Sequence, residues 1–321
     1  MMRFWEGHPE LSGELLQVRD TILLRAASDD PCVRQAVTQL FASSGKMLRP
    51  AFVLLASRFG MPDRDRMIRI AAAVEMLHMA TLVHDDIIDA APVRRGVASL
   101  QALRGPRTAV LVGDWLFASC FALIADLAGD QNGRALSHLV ARICGSEISQ
   151  SADKYILHTS VRRYLRRIAG KTAALFALAF HAGAVESGCP GALVSLLRRL
   201  GYSLGMGFQI IDDILDFTCD GAETGKPAGS DLSQGIFTLP VVLALKSDDG
   251  QLAAALSRGR TNRRAALRAT RIVAAGSGIA GARAAAEAYT DRAIRAIDQL
   301  PPLPARQTLR EVSCQLLSRT Y

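Results

Sequence analysis

Apolar residues recur at the spacing of an α-helix through most of this chain, and this period constrains its fold more than any other feature. The stretch from Ile68 to Val83 places apolar residues on one helix face, interrupted only by Glu75. Runs of alternating β-branched residues are almost absent, and alanine-rich segments such as AAALSRGRTNRRAALRATRIVAA add helix propensity. The sequence therefore predicts an all-α protein.

Length and loop composition indicate a single domain. At 321 residues, half of them apolar, the chain is long enough to bury a large core. The segments that break the helical pattern, including the longest, TCDGAETGKPAGSDLSQG, are too short to read as a domain linker. We therefore predict one all-α domain over residues 1–321.

Charge and hydropathy narrow the classes of partner. The net charge of +8 suits nucleic acid, anionic lipid or anionic small molecules, but aromatic residues make up only 6% of the chain and no nucleic-acid-binding motif is present. The longest stretches without a charged residue have 14 residues, below the roughly 20 of a membrane-spanning helix. The N-terminus lacks the apolar region of a secretory signal. We expect a cytoplasmic protein that binds no nucleic acid and contacts membranes at most peripherally.

Two groups of aspartates share the spacing D-D-x-x-D. The first aspartate cluster, in LVHDDIID, is Asp85, Asp86 and Asp89, and the second, in GFQIIDDILDFT, is Asp212, Asp213 and Asp216. On a helix this spacing puts the carboxylates of a cluster near one face. One copy is commonly a solvated helix end, but two copies that each follow an apolar helix indicate a shared site. Six carboxylates would repel one another unless cations bind, and oxygen ligands suit Mg²⁺. The pattern predicts Mg²⁺ and a diphosphate substrate.

Basic residues close to both clusters supply charge for binding an anion. Arg94 and Arg95 follow the first cluster, Lys226 lies in the loop after the second, and GKMLRP contains Lys46 and Arg49. Only five of the 38 basic residues are lysines. A lysine inside a motif is therefore a candidate phosphate contact, because its compact ammonium group is not equivalent to a guanidinium.

The two aspartate clusters occur together with the segments GKMLRP, RRG, GKTA and GKPAGSDLSQGIFTLP. Through these motifs the sequence resembles the all-trans polyprenyl diphosphate synthases over about residues 40–245. Within that family, EMLHMATLVHDDIID, YLRRIAGKTA and GFQIIDDILDFT are most similar to the catalytic subunit, component II, of heptaprenyl diphosphate synthases. The resemblance implies an isoprenoid synthase helical bundle around a large apolar cavity. It implies a Mg²⁺-dependent prenyltransferase that condenses isopentenyl diphosphate head to tail with farnesyl or geranylgeranyl diphosphate, with a product that serves as a quinone side chain.

The resemblance implies roles at the allylic substrate. Both aspartate clusters would hold about three Mg²⁺ ions on the allylic diphosphate, helped by Arg94, Lys171 and Lys226. Thr172 and Gln209 would turn their oxygens toward the developing allylic cation. Ionisation needs the leaving charge neutralised and water excluded, so metal, fixed cations and a dry cavity fit this chemistry. The sequence offers no convincing protein base, and in this family the departing diphosphate is the expected proton acceptor.

The resemblance also implies a second diphosphate site. Lys46, Arg49, His78 and Arg95 would bind the diphosphate of isopentenyl diphosphate. The family usually has a basic residue where Met47 stands, so one minor contact is missing.

Residues about one turn before Asp85 are expected to face the cavity in which the product grows. In this family bulky aromatic residues there limit the product to short chains, whereas this sequence has the small Ala80 and Thr81. They predict a long product, about C30–C40, with C35 as the best single value. The deeper Leu77 and Val74, or residues in the segment 114–125, are alternative positions for the floor of that cavity.

Three other classes of function share features with this sequence. A class I terpene cyclase also ionises an allylic diphosphate with Mg²⁺, but it needs no second diphosphate site. A metal phosphohydrolase could use the HDD motif, although its further histidine ligands are not evident. A non-catalytic subunit of a heteromeric synthase could lose its carboxylates, whereas this chain keeps all six. The expected assembly is a homodimer, or a heterodimer with a small regulatory subunit.

Overall fold

The protein is almost entirely helical in a computed structural model that describes residues 2–27, 30–42, 45–94, 96–127, 130–218, 228–259 and 262–317. Among the predicted site residues, Arg95 and Lys226 lie outside these ranges. The strands within them form one antiparallel hairpin, β1 (Val93–Arg94) and β2 (Val97–Ala98). The prediction of an all-α fold is confirmed.

The helices are numbered in chain order after a short 3₁₀ turn at Met2–Trp5. Up to residue 186 they are α1 (Pro9–Ala27), α2 (Pro31–Ala42), α3 (Leu48–Ser57), α4 (Arg64–Ile88), α5 (Leu100–Arg104), α6 (Pro106–Leu127), α7 (Asp130–Ala152), α8 (Val161–Ile168) and α9 (Ala174–Glu186). A π-helical turn, Ala169–Ala173, joins α8 to α9. The later helices are α10 (Gly191–Thr218), α11 (Ser230–Ser233), α12 (Leu239–Lys246), α13 (Gln251–Gly259), α14 (Arg263–Ala275), α15 (Ser277–Asp298) and α16 (Pro304–Leu317).

Polar side chains fix where several helices begin. The Asp63 carboxylate accepts a hydrogen bond from the backbone N–H of Arg66 at the start of α4, and the Ser160 hydroxyl accepts one from Arg163 at the start of α8, both at 3.2 Å. Such caps satisfy backbone donors that have no partner within the helix. Local contacts therefore set the beginnings of α4, which carries site residues, and of α8, which leads into the turn with Lys171 and Thr172.

The chain divides into two compact units built from alternating segments. Unit 1 contains Met1–Ser137, Leu178–Arg198 and Pro301–Thr308, and unit 2 contains His138–Ala177, Arg199–Leu300 and Leu309–Tyr321. Because each unit uses three separate segments, no single linker divides them, and loop composition could not reveal the division. The single domain over residues 1–321 stays a prediction.

The core of unit 1 is organised around α4. This helix is apolar on most of its circumference, as expected for a helix surrounded by protein, and it packs most extensively against α6 and also against α3 and α1. The rings of Phe52 and Phe180 stack with their centroids 4.8 Å apart. Trp5 is fully buried, and its Nε1 donates a 2.6 Å hydrogen bond to the carbonyl of Lys46. The segment that contains Lys46 is thereby held to the unit.

The core of unit 2 contains two closely packed helix pairs, α12 with α15 and α13 with α14. Tyr164 is buried although it lies in an arginine-rich helix. The rings of Phe176 and Phe208 lie 5.5 Å apart. Tyr164 and Phe208 are close in sequence to predicted site residues, so packing in this core positions the site.

Three helical stretches in the described residues are long and apolar enough to cross a membrane by length and composition. They are Arg64–Ile88, Pro106–Leu127 and Val161–Glu186, and 78%, 39% and 67% of their most apolar windows are buried within the protein. A charge-free length is too strict a criterion for these helices, because a window with one or two charged residues is still apolar enough to cross a membrane. The length of the charge-free stretches therefore does not by itself exclude a membrane-spanning helix.

Candidate active site

The first aspartate cluster lies at the C-terminal end of α4. Asp85 and Asp86 occupy the last turn, and Asp89 is the C-cap residue, with its N–H bonded to the carbonyl of Asp85. The last turn contains no basic residue. Carboxylates at a helix C-terminus face the negative end of the helix dipole, so this arrangement is costly unless positive charge is nearby.

Arg94 supplies one such charge from the β-hairpin. Its Nε donates to both carboxylate oxygens of Asp86, at 2.7 and 2.8 Å, and its Nη2 lies 2.6 Å from Oδ1. Asp86 is only 5% exposed, so little solvent competes with this pair. Gly96, with φ of 80°, forms the turn that returns the chain after Arg94. The hairpin therefore holds the predicted phosphate-binding arginine against the first cluster.

Two residues of the predicted isopentenyl diphosphate site are in contact. Nη1 of Arg49, in the first turn of α3, lies 2.9 Å from Nε2 of His78 on α4. Because a guanidinium only donates hydrogen bonds, this imidazole nitrogen is the acceptor. Lys46 places its Nζ 4.3 Å from the centroid of the Phe4 ring. Met47 is buried, with a left-handed backbone (φ 49°) at the N-cap of α3, so the missing basic residue is replaced by core packing.

The second aspartate cluster lies near the C-terminal end of α10, whose last turn also has no basic residue. A chain of hydrogen bonds joins it to α8 and the π-helical turn. The hydroxyl of Thr172 donates to Oε1 of Gln209 at 2.7 Å, and Nε2 of Gln209 donates to Oδ1 of Asp213 at 2.8 Å. The hydroxyl of Tyr164 donates to Oδ2 of Asp213 at 2.6 Å. Thr172 and Gln209, predicted from sequence, are thus linked directly to the cluster.

Asp213 has an altered acidity in this environment. It is only 4% exposed, and burial, together with the negative charge of Asp231, raises its pKa to about 7. Hydrogen bonds from Tyr164 and Gln209 and the positive charge of Arg167 act in the opposite direction. A carboxyl group that is disfavoured as an anion at the negative end of a helix gains strongly from a bound cation.

Asp216 and Lys171 have structural partners close to this cluster. The carboxylate of Asp216 accepts hydrogen bonds from the backbone N–H groups of Ser230 and Asp231, at 3.2 and 3.4 Å, and so anchors the start of α11. Nζ of Lys171 lies 2.9 Å from Oε1 of Glu147. Lys171 sits in the π-helical turn, a feature that is frequent at functional sites.

An apolar pocket lies within unit 1, beside the part of α4 that precedes the first cluster. Its lining includes Leu77 and Val74 of α4 and Cys120 and Ile124 of α6. These are the deeper positions considered above as a floor for the growing product. Ala80 is fully buried, and the hydroxyl of the half-buried Thr81 donates to the carbonyl of His78 at 2.7 Å. Neither residue lines this pocket, and their role in chain length stays a prediction.

The chemistry of these donors fits Mg²⁺. Both clusters offer only carboxylate oxygens, and the described part of the chain contains no group of three histidine, cysteine or acidic side chains that could enclose a metal ion by itself. Mg²⁺ does not require such a cage, because it keeps several waters and binds through one or two carboxylates and substrate phosphates.

Sequence reasoning missed three residues that contact the predicted site. Tyr164 binds Asp213, Glu147 binds Lys171, and Asp231 binds Asp216. Tyr164 lies seven residues before Lys171, two helical turns, and its aromatic ring among arginines was a usable signal. Glu147 lies in a polar segment, where an acidic residue carries no such signal, whereas Asp231 lies within the motif GKPAGSDLSQGIFTLP but has no predicted role there.

Comparisons with known proteins identify the family of the chain. The Polyprenyl synthetase family model matches residues 30–273. The chain is 39% identical over 311 residues to heptaprenyl diphosphate synthase component 2 of Geobacillus stearothermophilus, covering 97% of each chain. It is 33% identical over 307 residues to nonaprenyl diphosphate synthase of Mycobacterium tuberculosis, covering 94% of this chain and 90% of the other. The crystal structure of heptaprenyl diphosphate synthase from Staphylococcus aureus matches with a TM-score of 0.93 and 32% identity, over 97% of this chain and 99% of that chain. The matched residues include both aspartate clusters, and this chain belongs to the polyprenyl synthetase family.

Proposed function

We propose that this protein is a long-chain all-trans polyprenyl diphosphate synthase, a prenyltransferase that adds isopentenyl diphosphate repeatedly to an allylic diphosphate. One observation carries the proposal: α4 and α10 both end in aspartate clusters, with no basic residue in either last turn. Such ends favour bound cations beyond the contact that Arg94 makes with Asp86, and Mg²⁺ bound there would serve a diphosphate substrate. Relatives named as heptaprenyl and nonaprenyl diphosphate synthases support a long product.

Different groups of side chains bind the two diphosphate substrates. The aspartate clusters hold Mg²⁺, which when bound neutralises the charge of the leaving diphosphate. Arg94 and Lys171 bind the allylic diphosphate. Arg49 and His78, already in contact with each other, bind the diphosphate of isopentenyl diphosphate together with Lys46.

The remaining side chains protect the reactive allylic cation. The oxygens of Thr172 and Gln209 are fixed by their mutual hydrogen bond and by Asp213, so they present a preorganised dipole to positive charge. Apolar residues such as Leu77 and Val74 exclude water from the growing chain.

The test is incubation of the purified chain with Mg²⁺, farnesyl diphosphate and radiolabelled isopentenyl diphosphate, followed by chromatography of the dephosphorylated products. We expect a ladder of products ending at about C35, the length of a heptaprenyl chain. A cyclic product without added isoprene groups would indicate a terpene cyclase instead. If the folded chain incorporates nothing, the assay is repeated with the small subunit of a heptaprenyl synthase, and a second failure would refute the proposal.

Tyr164→Phe is expected to raise the Mg²⁺ concentration needed for half-maximal activity by about 10-fold, because a hydrogen-bond partner of a metal ligand fixes its orientation. The ring, and therefore the packing, is retained. A Mg²⁺ titration of the initial rate measures the effect. Tyr289→Phe on α15 removes a phenol hydroxyl elsewhere in unit 2 and should leave the titration unchanged. An unaltered titration for Tyr164→Phe would show that this hydrogen bond does not support the metal site.

We also propose that two copies of the chain pair through α6. Only 39% of its most apolar window is buried, and Val110 and Leu111 are 39% and 62% exposed. Exposed apolar patches of this kind commonly mark protein interfaces. Leu111→Glu is expected to convert a dimer into a monomer in sedimentation velocity, whereas Leu24→Glu, at a 72% exposed leucine of α1, should not. A wild-type chain that is monomeric until a small subunit is added would favour the heterodimer.

A further inference from the structure

The apolar pocket of unit 1 has two polar residues in its lining. Beside Leu77, Val74 and the other apolar side chains, it is bordered by His181 and Glu186 of α9. A pocket that accepts only hydrocarbon would not require either of them. Their position relative to the first aspartate cluster indicates a role in product length.

Glu186 marks the end of the pocket farthest from the first cluster. Nε and Nη2 of Arg66 donate to Oε2 of Glu186, at 3.1 and 2.5 Å. Arg66 lies 19 residues before Asp85 on α4, so at the helical rise per residue it is about 28 Å away along the axis, whereas Leu77 is about 12 Å away. A chain that grows from the diphosphate end along α4 therefore passes Leu77 and Val74 before it reaches the ion pair.

The far end is polar and resists an apolar occupant. The side chain of Glu186 is only 9% exposed, and Arg66 neutralises it there. Nδ1 of His181 is buried and has no hydrogen-bond partner among the described residues. Burial and the charge of Arg198 lower the pKa of His181, which favours a neutral imidazole. A hydrocarbon terminus that covered these groups would remove their remaining hydration without replacing any hydrogen bond, which is unfavourable.

We propose that the Arg66–Glu186 ion pair, with His181 beside it, is the polar stop that sets the maximum length of the product. The inference rests on the proposed synthase activity and names the specificity-determining residues of that same reaction. Elongation continues while each new isoprene group pushes the chain terminus along apolar residues. It ends when the terminus meets the charged pair, because further burial then costs free energy.

The test compares product ladders from purified variants with isopentenyl and farnesyl diphosphates and Mg²⁺. In the double variant Arg66→Met with Glu186→Leu, the stop becomes apolar without leaving an unpaired charge, and the main product should lengthen by at least one isoprene group. Glu186→Gln keeps a polar side chain of the same size and should keep the wild-type length. The matched control is Arg58→Met with Glu14→Leu, which removes a 2.8 Å ion pair of unit 1 whose residues do not line the pocket.

The outcomes separate this inference from the proposed function. A folded double variant with the wild-type ladder overturns the inference alone, and so does an equal lengthening in the control pair. If the double variant does not fold, Arg66→Leu with Glu186→Met decides the matter, since it also removes both charges of the ion pair and retains apolar bulk at both positions: a longer product supports the polar stop and an unchanged one overturns it. A wild-type chain that incorporates no isopentenyl diphosphate, either alone or with the small subunit of a heptaprenyl synthase, overturns both the function and the inference.

Discussion

Replacing Asp85 by asparagine is expected to lower kcat for incorporation of isopentenyl diphosphate by about 10²–10³-fold, the scale of losing one group that stabilises developing charge. Asparagine preserves the size of the side chain in the last turn of α4 and removes one negative charge. Asp86 on the same turn already binds Arg94, so it cannot replace Asp85 without giving up that pair. Initial rates at saturating substrates over a range of Mg²⁺ concentrations measure the loss.

Stability should change in the opposite direction from activity. Without metal, Asp85 lies at the negative end of α4, so the neutral asparagine should leave the free energy of unfolding unchanged or raise it by about 0.3–1 kcal/mol. The control is Asp114→Asn, at a side chain 60% exposed on α6 whose carboxylate lies 3.4 Å from Nε2 of His84, and it should retain activity. A large loss of stability in Asp85→Asn, or equal activity in both variants, would contradict the assignment of Asp85 as a metal ligand.

The parts of the fold that sequence predicted are those determined by local spacing. The helical period marks α4 because its apolar positions fill one long stretch, and D-D-x-x-D marks a helix face because residues four apart lie one turn apart. The division of the chain into two units, each built from three separate segments, has no local sequence signal of this kind. Residues 178–198 belong to unit 1 because they pack against helices that are distant in sequence, for example Phe180 against Phe52. The composition of the loops does not predict this packing.

The same distinction applies within the candidate site. The aspartates and the basic residues beside them were recognised because they lie within short motifs. The contacts that position them join residues far apart in sequence: 29 residues separate Arg49 from His78, and 49 separate Tyr164 from Asp213. The π-helical turn around Lys171 has no sequence signal either, because the five residues AGKTA have no composition that distinguishes a π-helix from an α-helix.

Ala80→Phe is expected to produce the largest change in product, a shift from a ladder ending at about C35 to one ending several isoprene groups earlier. Ala80 is fully buried and lies five residues before Asp85 on α4, closer to the first cluster than the pocket residues Leu77 and Val74. We predict that the growing chain passes position 80 on its way to that pocket, so an aromatic ring there would obstruct it. The initial condensation should continue, because Ala80 touches neither diphosphate site in this proposal. Chromatography of dephosphorylated products measures the shift.

A buried alanine cannot accept a phenyl ring without strain, and overpacking typically costs 1–3 kcal/mol. The control must therefore impose the same strain elsewhere. Ala72→Phe does so, because Ala72 is also fully buried on α4 and also lies outside the pocket lining, but it is 13 residues before Asp85, farther from the first cluster than Leu77 and Val74. If general strain were the cause, both variants would make less product of unchanged length. A shorter product from Ala80→Phe alone would place the growing chain against Ala80, and unchanged lengths from both would show that the chain does not pass Ala80 and that its length is limited elsewhere.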